Sequence, residues 1–177
     1  MGFLSSTEYN SLEDLLVEQV KDLYDAEHRL VEALPKMAEA ATSSTLQNTF
    51  LEHLEQTKNH VARLEQVFSS MGVKAERETC QAMKGLVSEG SEAIHAKGNN
   101  AAVRDAALIA AAQRVEHYEM AGYGSARTFA QQLGLTEAVD LLQSTLEEEE
   151  QADRKLTILA VQEINSDTLR SVASRAY

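Results

Sequence analysis

With 177 residues, one proline, no tryptophan and no alternating run of β-branched residues, the sequence predicts a single all-α domain with one sizeable core. The formal net charge of −12 argues against binding to the phosphate backbone of nucleic acids, which needs a basic surface. No apolar stretch could cross a membrane, no signal peptide is recognisable and a single cysteine allows no internal disulfide, so we expect a cytoplasmic protein without a membrane partner.

The first two predicted helices form an antiparallel pair because only a few residues join them. The first covers about residues 12–41, begins after the N-cap Ser11, and contains Pro35, which is expected to kink the helix or end it locally. The second covers about residues 45–71, and Ser44 begins a capping-box pattern at its start. Each helix places its apolar residues on one face, as packing in a bundle requires.

A long connection separates this pair from a second one. It covers residues 73–100 and contains a short amphipathic helix at about 79–95. The third long helix covers about residues 101–133, and the fourth covers about 136–164 with Thr136 as its N-cap. Two hairpins with short loops, joined by one long crossover, have the connectivity of a ferritin-like four-helix bundle.

The whole chain, 1–177, is therefore predicted to form a single ferritin-like domain. The core of the bundle covers about residues 11–165, and a short C-terminal tail covers 166–177. The tail sequence is compatible with a second short helix or with a frayed end.

Each of the four long helices carries polar residues where its apolar face should continue. They are Glu27 in the first helix, His53 and His60 in the second, Glu116 and Glu119 in the third, and Glu149 and Asp153 in the fourth. Each set lies near the middle of its helix. If the helices are in rough register, all four sets meet at one level inside the bundle.

Several carboxylates in one buried space repel one another and become protonated unless a cation neutralises them. An oxygen-rich site with one or two imidazoles suits iron or manganese better than a closed zinc site of the cysteine type. We therefore expect two divalent metal ions as cofactors, with iron favoured over manganese, bridged by carboxylates and about 3.5–4 Å apart. Open positions on such a pair would admit O₂ or hydrogen peroxide as a small-molecule substrate.

The general template for such sites takes one Glu from each of two helices and a Glu-x-x-His from each of the other two. Glu27 and Glu119 fit the two single positions. The second helix departs from the template, since Gln56 stands where a carboxylate is expected. In the fourth helix, Glu148 would replace Glu149 if the helix were rotated slightly.

Five segments of the chain resemble the YciE/YciF family of bacterial ferritin-like proteins, and the similarity covers about residues 11–165. They are DLYDAEHRL (22–30), HLEQT (53–57), CQAMKGL (80–86), RDAALIAAAQRVEHYEMAGYG (104–124) and TLEEEEQADRKL (145–156). The fourth segment is the most specific of them, whereas a run of glutamates alone would mean little.

This resemblance implies a rubrerythrin-like helical bundle, often dimeric, with a candidate dimetal centre and a link to bacterial stress conditions. The family's carboxylates and histidine then correspond to Glu27, His53, Glu116, Glu119, Glu149 and Asp153. Gln56 stands where some family members have Glu, and His60 stands where relatives often have Gln.

Other residues near the predicted site have a functional and a simpler structural interpretation. Tyr24 and Tyr118 flank the predicted site and could donate a hydrogen bond or an electron, but packed tyrosines with satisfied hydroxyls are more common. Cys80 fits a small buried hydrophobe better than a nucleophile. For the protein as a whole, the alternative to a dimetal homodimer is a metal-free dimeric helical scaffold without catalytic activity.

Overall fold

A computed structural model of the chain describes residues 9–98, 100–166 and 168. Its helices are α1 (Leu12–Ala40), α2 (Ser44–Ser70), α3 (Gln81–Ile94), α4 (Ala101–Gln132) and α5 (Thr136–Leu159), followed by a π-helical segment (Ala160–Ile164). The predicted all-α class is confirmed, and the described residues include no strand. None of the helices in this part of the chain combines the length and apolarity needed to cross a bilayer. Apart from Ser166 and Thr168, the predicted tail lies outside the described residues.

The four long helices form the predicted bundle of two hairpins. α1 packs against α2 and α4, and α5 packs against the same two helices. Near the start of α4, the carboxylate of Asp105 accepts hydrogen bonds from the backbone N–H groups of Thr42 (2.9 Å) and Ser43 (2.8 Å). The crossover has thus returned the chain to the end of the bundle where α2 begins, which is the ferritin-like connectivity. The crossover helix α3 packs on α1 and α4.

Two helix starts differ from the sequence-based expectation, whereas the end of α1 agrees with it. α1 continues past Pro35 to Ala40, close to the predicted bound of about 41, because the exposed proline removes only one backbone hydrogen bond from a long helix. Ser43, not Ser44, caps α2, since its hydroxyl accepts the N–H of Leu46. Thr136 is the first helical residue of α5 and not its cap, and this helix begins without a side-chain cap.

Two apolar clusters fill the bundle, one toward each end. One includes Leu30, Leu34, Phe50, Leu108 and Leu156, and the other includes Leu16, Val20, Leu64, Phe68 and Leu142. In the sequence of each long helix, the predicted polar residues lie near the boundary between one cluster and the other. The expectation of a polar layer at one level of an otherwise apolar bundle therefore matches the packing.

Candidate metal centre

The middle of the bundle brings together six of the seven predicted metal ligands. They are Glu27, His53, His60, Glu116, Glu119 and Glu149, and every one of them is buried. They come from all four long helices, which supports the register predicted from the sequence. Burial on this scale is costly for ionisable groups unless they are paired or bind a cation.

Glu149 lies at the centre of this layer and faces both histidines. Its Oε1 atom lies 3.0 Å from Nδ1 of His60, and its Oε2 atom lies 3.6 Å from Nε2 of His53. Glu27 joins the first pair, with its Oε1 atom 3.3 Å from His60, and Glu116 joins the second, with its Oε1 atom 3.5 Å from His53. Each group of three offers ligand atoms within 4.8 Å of one another. The two groups share one carboxylate, as bridged metal pairs do.

Glu119 lies beside these groups without belonging to either. It is fully buried, and neither of its carboxylate oxygens has a hydrogen-bond partner among the described residues. Burial raises the pKa of Glu119 well above its ordinary value, and the charges of Glu27 and Glu149 raise it further. This carboxylate is therefore available as an additional ligand.

Both imidazoles are held by an acceptor on the side that faces away from Glu149. Nδ1 of His53 lies 3.2 Å from the amide oxygen of Gln56, and Nε2 of His60 lies 2.7 Å from Oε2 of Glu148. Because these oxygens only accept hydrogen bonds, the bonds place a proton on the outer nitrogen of each ring. The inner nitrogens are then free to bind a cation, an arrangement common to metal-bound histidines.

A salt bridge fixes Glu148 in this orienting role. Two nitrogens of Arg63 donate to its two carboxylate oxygens, each at 2.8 Å. The hydrogen bond from Arg63 lowers the pKa of Glu148 and, together with His60, outweighs the opposing effect of burial. The sequence suggested Glu148 as a replacement ligand and gave no sign of Arg63. In the structure Glu149 is the inner carboxylate, and Glu148 is bound to Arg63 and His60.

Tyr123 is a site residue that sequence reasoning missed. Its fully buried hydroxyl donates to Oε1 of Glu27 at 2.5 Å. The available signal was its position four residues after Glu119, which puts it on the same helix face. The hydroxyls of Tyr24 and Tyr118, which were predicted to flank the site, donate to carboxylates elsewhere.

Asp153 is the one predicted ligand that the structure places apart from the others. Its carboxylate accepts a hydrogen bond from Gln113 at 3.0 Å and lies 3.3 Å from Nε2 of His117, and its side chain is 19% exposed. It lies about one helical turn beyond Glu149, so it reaches the next level of the bundle. Asp153 belongs to neither of the two groups that share Glu149.

Unsatisfied polar atoms test whether these residues fit a cation. In the described part of the chain, ten buried side-chain nitrogens and oxygens have no hydrogen-bond partner, and eight of them belong to the six clustered residues. Buried polar atoms in native proteins almost always have a partner. The four carboxylates carry four negative charges when ionised, and two divalent cations would balance them. The donor set therefore fits a pair of such ions.

When no cation is bound, protons can neutralise part of the negative charge of the four glutamates. Burial raises the pKa of Glu27 and Glu116. Burial alone would lower the pKa of His60, but the negative charges of Glu27 and Glu149 beside its ring raise it to about 11. Protons and metal ions therefore compete for the same atoms.

Comparison with known proteins identifies the family. Residues 11–169 match the family described as "Domain of unknown function (DUF892)". Protein YciF of Escherichia coli (strain K12) is 46% identical over 156 residues, which cover 88% of this chain and 93% of YciF. The chain belongs to the YciF family. The resemblance predicted from the five segments is confirmed.

The solved structures of two similar proteins have the same fold. That of the E. coli stress protein YciF has a TM-score of 0.84 at 45% identity, and covers 89% of this chain and 99% of its own. YcfI from Rhodopseudomonas palustris has a TM-score of 0.82 at 40% identity, over 86% of this chain and 96% of its own. A protein from Xanthomonas campestris pv. campestris, with a TM-score of 0.69 at 14% identity over 94% of this chain and 100% of its own, shares the fold alone.

Proposed function

We propose that the protein binds two divalent metal ions, iron or manganese, in the middle of the bundle and reacts there with O₂ or hydrogen peroxide. The observation that carries this proposal is the position of Glu149. Its two oxygens face two different histidines, and each histidine has a further glutamate beside it. A carboxylate that bridges two cations needs this divergent arrangement.

The chain offers a distinct set of ligands for each ion. Glu27 and His60 would hold one ion, and His53 and Glu116 would hold the other, with Glu149 shared. Glu119 would supply a further carboxylate to the pair. Four glutamates and two histidines are the donor set of the di-iron carboxylate template, although here both histidines come from α2.

The remaining site residues position these ligands. Glu148 and Gln56 keep the outer nitrogen of each imidazole protonated, so that the inner nitrogen carries the lone pair. Tyr123 holds Glu27 by a hydrogen bond from its hydroxyl to Oε1. The same hydroxyl could donate its proton to that carboxylate oxygen. When bound, iron or manganese would supply the one-electron redox steps that side chains alone lack. The apolar clusters on both sides limit access of water to the layer.

A biological role in stress is consistent with this chemistry. The E. coli relative is described as a stress protein, and reaction with peroxide would suit a role of that kind. We further propose that the chain is a homodimer in the cytoplasm, as the family resemblance and the single cysteine suggest. Sedimentation equilibrium on the purified protein measures the mass and tests the dimer directly.

Metal counting tests the proposal. Purified metal-free protein is mixed with ferrous or manganous ion under anaerobic conditions, and bound metal is measured by elemental analysis after desalting. About two ions per chain are expected for the wild type and clearly fewer for Glu149→Gln. The matched control is Glu150→Gln, because Glu150 is the next residue and its exposed carboxylate pairs only with Arg154 among the described residues. Peroxide consumption by the metal-loaded protein then separates an enzyme from a metal-binding protein.

The second candidate function is a metal-free scaffold. The observation in its favour is His60, whose pKa of about 11 gives the cluster an internal positive charge. The relative from R. palustris is, in addition, provisionally described as a structural protein. Bound metal near zero, with a melting temperature that the added ions leave unchanged, would support this function and overturn the dimetal proposal.

A further inference from the structure

A cavity separate from the metal centre lies between the crossover helix α3 and the bundle helices α1 and α4. Its volume is about 580 Å³, which is within the range of small-molecule binding sites. None of the described residues that line it is a predicted metal ligand. A ligand bound there would occupy a separate site.

The walls of this cavity are mainly apolar. They include Leu30 and Met37 from α1, Leu86 and Ile94 from α3, and Val115 from α4. Small side chains leave the space open, namely Ala33, Ala40, Gly90, Ala111 and Ala112. Only two residues of α3, Met83 and Gly90, are buried. The crossover helix therefore covers the cavity without filling it.

One wall carries a basic side chain with an unsatisfied buried nitrogen. The Nε atom of Arg104 is buried and has no hydrogen-bond partner within the described part of the chain, where its guanidinium also forms no ion pair. Lys36 lines the same cavity. Arg29 lines it too but is already bound to Asp25. A buried donor nitrogen without an acceptor is unusual, and an anionic group in the cavity would satisfy the Nε–H of Arg104.

The charge around the cavity differs from that of the whole chain. Its lining has three basic residues, Arg29, Lys36 and Arg104, against two acidic ones, Glu32 and Glu39. The chain as a whole has a formal net charge of −12. Because Asp25 pairs with Arg29, the lining is close to neutral, and it opposes an anion less than the acidic remainder of the chain does.

We propose that this cavity binds an amphiphilic anion, specifically a carboxylate on an aliphatic chain of medium length. The carboxylate pairs with Arg104, and the aliphatic chain lies against the apolar walls formed by Leu30, Met37 and Ile94. The apolar part of the cavity accommodates the aliphatic chain of the ligand, and the guanidinium of Arg104 binds its carboxylate. The proposal does not depend on the metal centre.

Calorimetric titration of the full-length protein with decanoate, below its micelle-forming concentration, tests the proposal. Decanol is the matched neutral probe. We expect saturable binding of decanoate and weaker binding of decanol. Arg104→Gln should weaken decanoate binding about tenfold or more, because a charge-assisted hydrogen bond is lost, and should leave decanol binding nearly unchanged. The control Arg114→Gln removes the same charge from an exposed position of α4 outside the cavity, and should bind like the wild type.

A second variant tests the apolar walls. Ala33→Leu adds volume at the wall and should weaken binding of both probes. Metal content is measured on all variants and should not change, which separates this site from the metal centre. Absence of saturable decanoate binding to the wild type would overturn the proposal, and so would equal binding by Arg104→Gln and Arg114→Gln. If the chain is a dimer and decanoate does not bind, the cavity is better explained as a dimer contact.

Discussion

Glu148 and Glu149, which are neighbours in sequence, contact opposite sides of one imidazole ring. Oε2 of Glu148 lies 2.7 Å from Nε2 of His60, and Oε1 of Glu149 lies 3.0 Å from Nδ1 of the same ring. Glu148 is partly exposed and bound to Arg63, whereas Glu149 is fully buried. The two carboxylates therefore differ in position: Glu148 orients the histidine, and Glu149 would share a bound cation with it.

Substitution of Glu148 should weaken metal binding without removing a ligand. In Glu148→Ala, the Nε2 atom of His60 loses its acceptor, and the ring can take other orientations and tautomers. Loss of such an orienting partner typically lowers metal affinity about 10–100-fold. Competition with a metal-chelating dye measures the affinity, with Glu150→Gln as the control. Equal affinities for Glu148→Ala and the wild type would contradict the orienting role.

Metal binding should release protons and weaken in acid. Without metal, the negative charges of Glu27 and Glu149 raise the pKa of His60 to about 11, and burial raises the pKa of Glu116. Because a cation needs these groups deprotonated, apparent affinity should rise with pH and fall as the pH is lowered. A pH-indicator dye in weakly buffered solution measures the protons released on addition of manganous ion. Uptake that releases no protons and is equal at pH 5.5 and 7.5 would contradict this mechanism.

Glu119→Gln should have opposite effects on the metal-free and the metal-loaded protein. Without metal, a buried carboxyl group must either remain charged among other carboxylates or hold a proton, and the neutral amide avoids both costs. The metal-free variant should therefore be at least as stable as the wild type, and a gain of about 1 kcal/mol would raise Tm by roughly 2–4 °C. The increase in Tm on metal addition should shrink in the variant. A variant that is less stable without metal would instead indicate a structural role for the carboxylate.

The level of the polar layer could be predicted from sequence because it depends on each helix separately. An interruption in the apolar face at Glu27, or at Glu149, is visible in the spacing of one helix alone. The number of helices followed from the spacing of their apolar residues, and the order of their connection followed from the lengths of the loops. These features needed no knowledge of how the helices rotate against each other.

The contacts within the site could not be predicted because they depend on that rotation. Arg63 meets Glu148 across the α2–α5 interface, and Tyr123 meets Glu27 across the α1–α4 interface. Spacing along one helix contains no information on such pairs. Asp153 illustrates the same limit, since it has the right spacing from Glu149 but lies level with Gln113.

Asp25 should contribute to stability by holding the crossover to α1. This buried carboxylate accepts hydrogen bonds from Arg29 (2.6 Å), from Arg77 (3.0 Å) and from the backbone N–H of Cys80 (2.9 Å). Burial alone would raise its pKa, but these three donors together lower it. Asp25→Asn should reduce the free energy of unfolding by about 2–3 kcal/mol near pH 7, measured by denaturant titration.

The pH dependence of this effect has a definite sign. Because the folded-state pKa of Asp25 is lowered, its contribution is fully present above the unfolded value of about 3.9 and is lost as the pH falls through the folded value. The difference between the wild type and Asp25→Asn should therefore narrow below about pH 4. Glu18→Gln is the control, since its ion pair with Lys21 is longer and more exposed. A difference that stays constant from pH 7 to 3 would show that charge is not responsible.

Gly122→Ala should destabilise the protein, although alanine favours helices. A Cβ atom at position 122 would lie 2.8 Å from Cδ2 of Leu23, where α4 approaches α1, and Leu23 is fully buried with little room to move. Overpacking of this kind costs about 1–3 kcal/mol. Gly124→Ala is the matched control, because no described atom lies within 4 Å of a Cβ added there, and it should stabilise α4 by up to about 1 kcal/mol. Denaturant titration measures both variants, and an equal gain in stability would show that the two helices separate easily at Gly122.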